Sequence, residues 1–271
     1  MSWSGSTSWI GSVGRVASAL LFVAASAIAT IATSATTMAS AQVPVTDTTQ
    51  HRFHLDASTL RPGQFTYETS LERNATTTIL GSRTVTVART TYSGSPAWLL
   101  LETRTTNGVL STDSLIADVS GLHPRHWSST QGLARLAAEF RGDTVFGATS
   151  APPGRRSIVS VIPSGTMVSS AMLETALRLL PLQTAWEDST TVLSLTLSNT
   201  SIVPTRLSVM GEDRVRVPAG TFDCWVVAVH ADQARGLYWV SKSDAQVVRS
   251  ALDVPSLGGA QLVSALTRAV W

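Results

Sequence analysis

Apolar and polar residues alternate with a period of two along much of the chain, which is typical of half-buried β-strands. The pattern predicts one strand over Phe65–Leu71 and a second over Thr84–Tyr92, with a loop at Asn74–Thr78 between them. Similar segments recur toward the C-terminus and give roughly a dozen strands. Many of the turns between them carry Gly, Pro or Asn. Asn107-Gly108 in particular is a strong signal for a two-residue hairpin turn.

The clearest single unit is a β-hairpin over residues 217–241. Pro218, Ala219 and Gly220 predict the turn that leads into it, and Thr221–Val229 is a run without Gly or Pro that is rich in β-branched and aromatic residues. The segment His230–Gly236 should reverse the chain. Both faces of the run are apolar beyond Asp223, so we expect a central strand or one that closes over a filled interior.

One segment has helical rather than strand periodicity. Between Met172 and Leu180, apolar residues recur at intervals of three and four, Ser169 or Ser170 can cap the start, and Pro181 ends the pattern. The predicted fold is therefore mainly β: a strongly curved antiparallel sheet or open half-barrel with one helix packed on its concave side.

The N-terminus has the order of features found in a secretory signal. Arg15 precedes an apolar, alanine-rich run from Val16 to Ile31, and a small-residue stretch ends at Ala39-Ser40-Ala41. We expect a signal peptide over residues 1–41, a flexible lead-in over 42–61 and a single β-rich domain over 62–271. An uncleaved anchor is the alternative. After residue 41 no run is long enough for a membrane helix, so we expect a soluble protein in the periplasm or outside the cell.

Composition narrows the classes of function. Charged residues make up 14% of the chain and the formal net charge is +2. No basic cluster is interleaved with aromatic residues, so we expect no nucleic-acid partner. Cys224 is the single cysteine, which excludes an internal disulfide, and its place in an apolar strand indicates a small core residue.

No motif points to an enzyme. The chain has no G-x-S-x-G elbow, no phosphate-binding loop and no dinucleotide glycine pattern, so we predict no catalytic residue and no cofactor. His51 and His54, and likewise His123 and His126, have H-x-x-H spacing. Such pairs converge on a metal only in a helix or turn, and neither lies in a helical pattern, so we predict no metal site.

Tryptophans are the strongest candidates for a binding surface. Trp225 and Trp239 are expected to face each other across the hairpin. They either fill the core or line an apolar pocket between sheet and helix. The candidate ligand-binding residues of such a pocket are Trp225, Trp239, Phe222, Leu177 and Leu180.

Several stretches together resemble a bacterial family of exported proteins known as domain of unknown function 3108. They are DSLIADVSGLHPRH (113–126), ALRLLPL (176–182), VMGEDRVRVPAGTFDCW (209–225), YWVSK (238–242) and VVR (247–249). The family is similar at fold level to the half-barrel of the lipoprotein-localisation (Lol) carriers, in which a curved sheet and a short helix enclose an apolar cavity for acyl chains. The resemblance implies a periplasmic, lipid-related role and supplies no catalytic residues.

Two functions from different classes follow. The first is a non-enzymatic exported protein that binds an apolar or lipid-like small molecule in the concavity of the sheet. The second is a structural or interaction module of the cell envelope that pairs exposed strand edges with a partner protein. An enzyme, the third class, would need polar groups that converge in a pocket, and the sequence does not indicate them.

Overall fold

The computed structural model describes residues 55–151, 154–162, 166–168, 171–195, 200–232 and 234–271. The predicted signal peptide lies outside these residues. One α-helix, α1, spans Ala171–Leu177. The strands are β1 (Gly63–Arg73), β2 (Thr76–Tyr92), β3 (Ser95–Thr106), β4 (Val109–Asp118), β5 (Pro124–Gln131), β6 (Ala134–Arg141), β7 (Thr144–Ala151), β8 (Gly154–Val161), β9 (Met167–Val168), β10 (Glu187–Leu195), β11 (Thr200–Val217), β12 (Gly220–Ala231), β13 (Ala234–Ser241), β14 (Val247–Val254) and β15 (Ala260–Val270).

All fifteen strands belong to one sheet, in the order β8 to β1 followed by β15 to β9. Neighbouring strands in this order pair antiparallel, except that the two-residue β9 lies parallel to β10. β1 pairs with β15, so the two ends of the domain meet in the middle of the sheet. The described strands leave β8 and β9 as free edges, and the sheet is therefore not closed into a barrel.

The sheet bends because several strand pairs lose register. Bulges interrupt the pairing of β1 with both of its neighbours, and of β4 with β5, β11 with β12 and β13 with β14. An extra residue in one strand kinks it and increases the local twist. Gly81 lies at one of these bulges, where a Cβ would collide with the carbonyl oxygen of Thr105. The predicted class, a mainly β curved sheet with a helix, is confirmed.

Helix α1 packs on one face of the sheet, which we call the inner face. Met172, Thr175, Ala176 and Leu177 are buried there. The helix ends earlier than its apolar pattern predicts, because the N–H groups of Arg178 and Leu179 bond to carbonyls three residues back, those of Thr175 and Ala176. Such bonds tighten the last turn and bring the chain to Pro181.

Both faces of β12 are covered, as the sequence predicts. Cys224 belongs to the large core cluster, whereas Val227 and Val229 belong to a second cluster with Leu207 and Tyr238. β12 lies between β11 and β13, so it is a central strand.

Two predictions at the N-terminal side need correction. Asn74–Thr78 is not a loop, because Asn74 and Ala75 alone form the turn, both with positive φ, and β2 already begins at Thr76. The lead-in is packed rather than flexible from Leu55 onward, since Leu55, Ala57 and Leu60 are buried and the Ala57 N–H bonds to the Ser120 carbonyl at 2.7 Å. Within the described residues no helix is long and apolar enough to span a membrane.

Candidate functional site between the sheet and the helix

The inner face beneath α1 is lined with large apolar side chains. Trp98 and Leu100 are two residues apart on β3, so they share a face. Leu100 pairs with Leu115 of β4, and Leu115 pairs with Trp127 of β5. All four are buried in the cluster that includes Met172 and Ala176 of α1. The alternation of these strands therefore builds one apolar surface, and the helix covers it.

Farther along β3, the inward-facing positions are occupied by charged residues. Glu102 and Arg104 follow Leu100 on the inner side of β3, opposite Asp113 and Ser111 of β4 respectively. Arg83 of β2 is paired with Arg104. Arg83, Glu102, Arg104 and Asp113 are all buried, with Glu102 only 2% exposed.

Glu102 holds the two arginines together. Its carboxylate accepts a hydrogen bond from Arg104 Nη2 and lies 3.8 Å from Arg83 Nη1. Burial by itself would raise the pKa of Glu102, but Arg104 and Arg83 outweigh it and the pKa is lowered. The glutamate is therefore a carboxylate at the centre of the group.

Helix α1 adds the second carboxylate, that of Glu174. Arg83 donates to it through both terminal nitrogens, Nη1 to Oε2 at 2.9 Å and Nη2 to Oε1 at 2.7 Å. The remaining Arg83 nitrogen, Nε, donates to Ser264 Oγ at 3.3 Å, and the guanidinium lies 4.3 Å from the centre of the Tyr67 ring. Burial acts against the charge on Arg83, but Glu174 and Glu102 outweigh it and raise its pKa. The pairing is bidentate, which fixes the helix against β2.

Two neutral groups complete the polar part of the interior. Gln246 donates to the Tyr67 hydroxyl at 2.5 Å, and that hydroxyl donates to the Val247 carbonyl at 2.9 Å. Burial, and then the charge of Glu174, raise the pKa of Tyr67, which therefore stays a neutral phenol. Neither residue presents a charge to the helix.

Asp113 differs from the other acidic groups. Burial raises its pKa, and the nearby charge of Glu102 acts in the same direction, although a hydrogen bond from Ser129 opposes the shift. Its Oδ1 is buried without a hydrogen-bond partner. Asp113 is thus more easily protonated than Glu102.

The tryptophans predicted to line a pocket are on opposite faces of the hairpin. Trp225 pairs with Val240, and Trp239 pairs with Val226. Paired residues point to the same face of a sheet, whereas the adjacent residues Trp225 and Val226 point to opposite faces. The two indoles therefore lie on opposite faces. Trp239 donates from Nε1 to Asp213 at 2.9 Å, and Lys242 Nζ lies 4.0 Å from the centre of the Trp225 ring. The prediction that they face each other is wrong.

The remaining candidate residues are divided between the two apolar clusters. Leu177 is buried in the second cluster, Leu180 contacts both clusters, and Phe222 packs on the large cluster. Trp225 packs on the second cluster with Leu177 and Leu180, whereas Trp239 belongs to the large cluster. The predicted set therefore does not form one surface.

The charged group was not predicted, although the sequence carries a signal for it. Arg83 precedes Val85 and Val87 at intervals of two, Glu102 follows Leu100, and Asp113 precedes Leu115. A charged residue in phase with buried apolar residues points into the interior. That phase identifies the strand residues, but not Glu174 as their partner.

The histidine pairs and Cys224 were the other residues considered for a chemical role. His126 Nδ1 lies 2.8 Å from Glu139 Oε1, His123 is exposed, and His51 and His54 lie outside the described residues. In the part of the chain that the structure describes, no three His, Cys, Asp or Glu side chains are grouped to hold a metal. Cys224 is buried, and burial raises the pKa of its thiol to about 12.

Comparison with known families gives one match. The model of the family described as "Protein of unknown function (DUF3108)" matches residues 64–262. The chain belongs to this family. No curated protein matches it significantly.

Comparison with solved structures gives matches at low sequence identity. A β-barrel-like DUF1849 protein from Brucella abortus has a TM-score of 0.50 at 13% identity, covering 78% of this chain and 98% of that one. A putative exported protein with a YmcC-like fold from Bacteroides fragilis has a TM-score of 0.34 at 12% identity, covering 80% and 100%. A DUF1329 protein from Desulfovibrio piger has a TM-score of 0.27 at 11% identity, covering 79% and 87%. At such identities the likeness concerns the fold alone.

Proposed function

We propose that this protein is an exported, non-enzymatic binder of an apolar or lipid-like ligand, which it holds between the inner face of the sheet and α1. The observation that carries the proposal is the apolar surface of Trp98, Leu100, Leu115 and Trp127 beneath a helix of only seven residues. A helix this short is marginal by itself, so its position depends on its contacts with the sheet. A ligand can compete for the same contacts.

The charges at the site support binding rather than catalysis. Arg83, Glu102, Arg104 and Glu174 are engaged with one another, and they hold α1 in place instead of facing an open cleft. The fold-level resemblance to the Lol half-barrels points to the same location for a ligand, between a curved sheet and a short helix.

Binding can be tested with an uncharged fluorescent probe, N-phenyl-naphthylamine, titrated into the full chain as purified from the cell envelope. We expect saturable binding that Trp127→Leu weakens several-fold. Phe146→Leu is the control, because Phe146 is an aromatic residue on β7 that is 41% exposed; Trp225→Leu tests the hairpin. If Trp225→Leu weakens binding and Trp127→Leu does not, the pocket is at the hairpin; if no probe binds, the proposal fails.

Export is tested separately by intact mass and N-terminal sequencing of the envelope-purified protein. The pattern of residues 1–41 leads us to expect a mature N-terminus at Gln42. An intact chain that stays with the membrane would instead favour the uncleaved anchor. A chain found only in the cytoplasm would contradict export.

One observation favours the second function, pairing through a strand edge. The described strands leave β8 without a neighbour on its outer side, and Val159 and Val161 on this strand are 70% and 71% exposed. A long edge strand with exposed apolar residues is a template for another strand. The partner we consider is a second copy of the chain, paired antiparallel through β8.

Sedimentation velocity tests this pairing. A dimer that the double variant Val159→Lys/Val161→Lys converts to monomer would support it. Ile79→Lys is the control, because Ile79 is also exposed but lies on β2, which is paired on both sides. A wild-type chain that stays monomeric at the highest attainable concentration would refute self-pairing through β8.

A further inference from the structure

Arg83, on the sheet beneath α1, obtains its hydrogen-bonded carboxylate from the helix. Arg83 and Arg104 are two buried cations, and Glu102 is the single carboxylate placed between them. Glu102 accepts a hydrogen bond from Arg104 but lies 3.8 Å from Arg83, so Glu174 of α1 supplies the carboxylate to which Arg83 donates.

A ligand that enters between α1 and the sheet must separate Arg83 from Glu174. A buried guanidinium that loses its carboxylate is strongly unfavourable unless another anion replaces it. The Arg83 fork points both terminal nitrogens at Glu174 while its Nε is held by Ser264. Two donors side by side match the two oxygens of a carboxylate.

We propose that the ligand is an amphiphile with a single negative charge, whose carboxylate head replaces Glu174 on Arg83. This inference rests on the function proposed above and specifies the ligand class for the same site. Its apolar tail lies along β3 from Glu102 toward Leu100 and Trp98, which occupy successive inward positions. Those three positions span roughly 13 Å at the usual rise of a strand. In the ligand-free protein, Glu174 acts as an internal substitute for the head group.

The test compares dansyl-undecanoic acid with its methyl ester, a pair that differs in charge but has the same tail and fluorophore. Both are titrated into the full chain at neutral pH. We expect the acid to bind at least about tenfold more tightly than the ester, because hydrogen bonds to charged groups contribute roughly one to two decades of affinity. Glu174→Gln should increase the ratio of acid to ester affinity, since the acid then meets no competing carboxylate.

A double variant, Arg83→Met/Glu174→Met, removes the head-group site. Apolar replacement of both partners of a buried pair is often tolerated, so this variant should fold even if an Arg83 single variant does not. We expect it to bind the ester as the wild type does and to lose the preference for the acid. Glu187→Gln is the control, because it removes a carboxylate from an exposed pair with Arg206 and should change neither affinity.

The outcomes separate the inference from the function on which it rests. If the wild type binds acid and ester equally and Glu174→Gln leaves the ratio unchanged, the ligand class is wrong while the binding function stands. If neither compound binds any variant, both fail. A preference for the acid that survives in the double variant would place the head group away from Arg83 and overturn the inference.

Discussion

Glu102 should be the acidic residue whose charge contributes most to the stability of the interior. It is 2% exposed and lies between Arg83 and Arg104. Glu102→Gln keeps the shape and one acceptor oxygen but removes the carboxylate that pairs with Arg104 and leaves Arg83 paired with Glu174 alone. Removing one partner of a buried ion pair typically costs about 3–5 kcal/mol. Because the amide can still accept a hydrogen bond, we expect the lower end, about 3 kcal/mol.

Urea unfolding followed by circular dichroism measures this loss. With a denaturant dependence of about 1–3 kcal/mol per molar urea, the midpoint should fall by roughly 1 M or more. Glu187→Gln provides the comparison, because its pair with Arg206 has side chains that are 53% and 63% exposed. Such pairs contribute about 0–1 kcal/mol. A midpoint shift for Glu102→Gln no larger than that of Glu187→Gln would refute the reasoning.

The pH dependence gives an independent check on the same carboxylate. The folded-state pKa of Glu102 is below its ordinary value of 4.5, so the folded protein binds fewer protons than the unfolded chain just below that pH. The stabilisation is therefore present above pH 4.5 and is lost as the pH falls through the lower folded-state pKa. The difference in unfolding free energy between wild type and Glu102→Gln should be constant above pH 4.5 and shrink below it.

Substitutions at two sites and one labelling experiment test separate parts of the interior. Asp113→Asn should stabilise the protein at neutral pH by on the order of 1 kcal/mol, since it removes a buried charge whose Oδ1 has no hydrogen-bond donor. Because the folded-state pKa of Asp113 is raised, this gain in stability should disappear below pH 3.8 in urea titrations. Asp213→Ala should cost about 1–3 kcal/mol by leaving the Trp239 N–H unpaired, whereas Asp213→Asn, which keeps an acceptor, should cost less. Cys224 should react with Ellman's reagent at the rate of unfolding, because its thiol is buried and protonated, and rapid labelling of folded protein would contradict this.

The β-architecture could be predicted because its signals are local. Asn107 and Gly108 both adopt positive φ, as a tight hairpin turn requires, and the two apolar faces of β12 indicate a strand covered on both sides. The early start of β2 could not be predicted in the same way. Its first residues are exposed threonines, and the turn before it uses Ala75, which is not a typical residue for positive φ.

The error at Trp225 and Trp239 shows how sensitive a site prediction is to register. The hairpin closes with Ala231 opposite Ala234, a shorter connection than the seven-residue turn at His230–Gly236 that the polar residues predict. A shift of one residue in a hairpin exchanges the faces of every side chain. The pairing of Arg83 with Glu174 was out of reach for a different reason: these residues are 91 positions apart and meet only where α1 crosses the sheet.

The buried charges also bear on why α1 lies where it does. An apolar interior of the same shape would often be as stable as one containing ion pairs, so Arg83, Glu102 and Arg104 are not explained by stability alone. They also constrain the helix, because Arg83 has a bidentate carboxylate partner only when Glu174, or another anion, lies against it. Stability and ligand preference should therefore respond differently to substitution. Glu102→Gln should weaken the fold while leaving Arg83 available to an acid, whereas Arg83→Met/Glu174→Met should preserve the fold and abolish the preference for an acid.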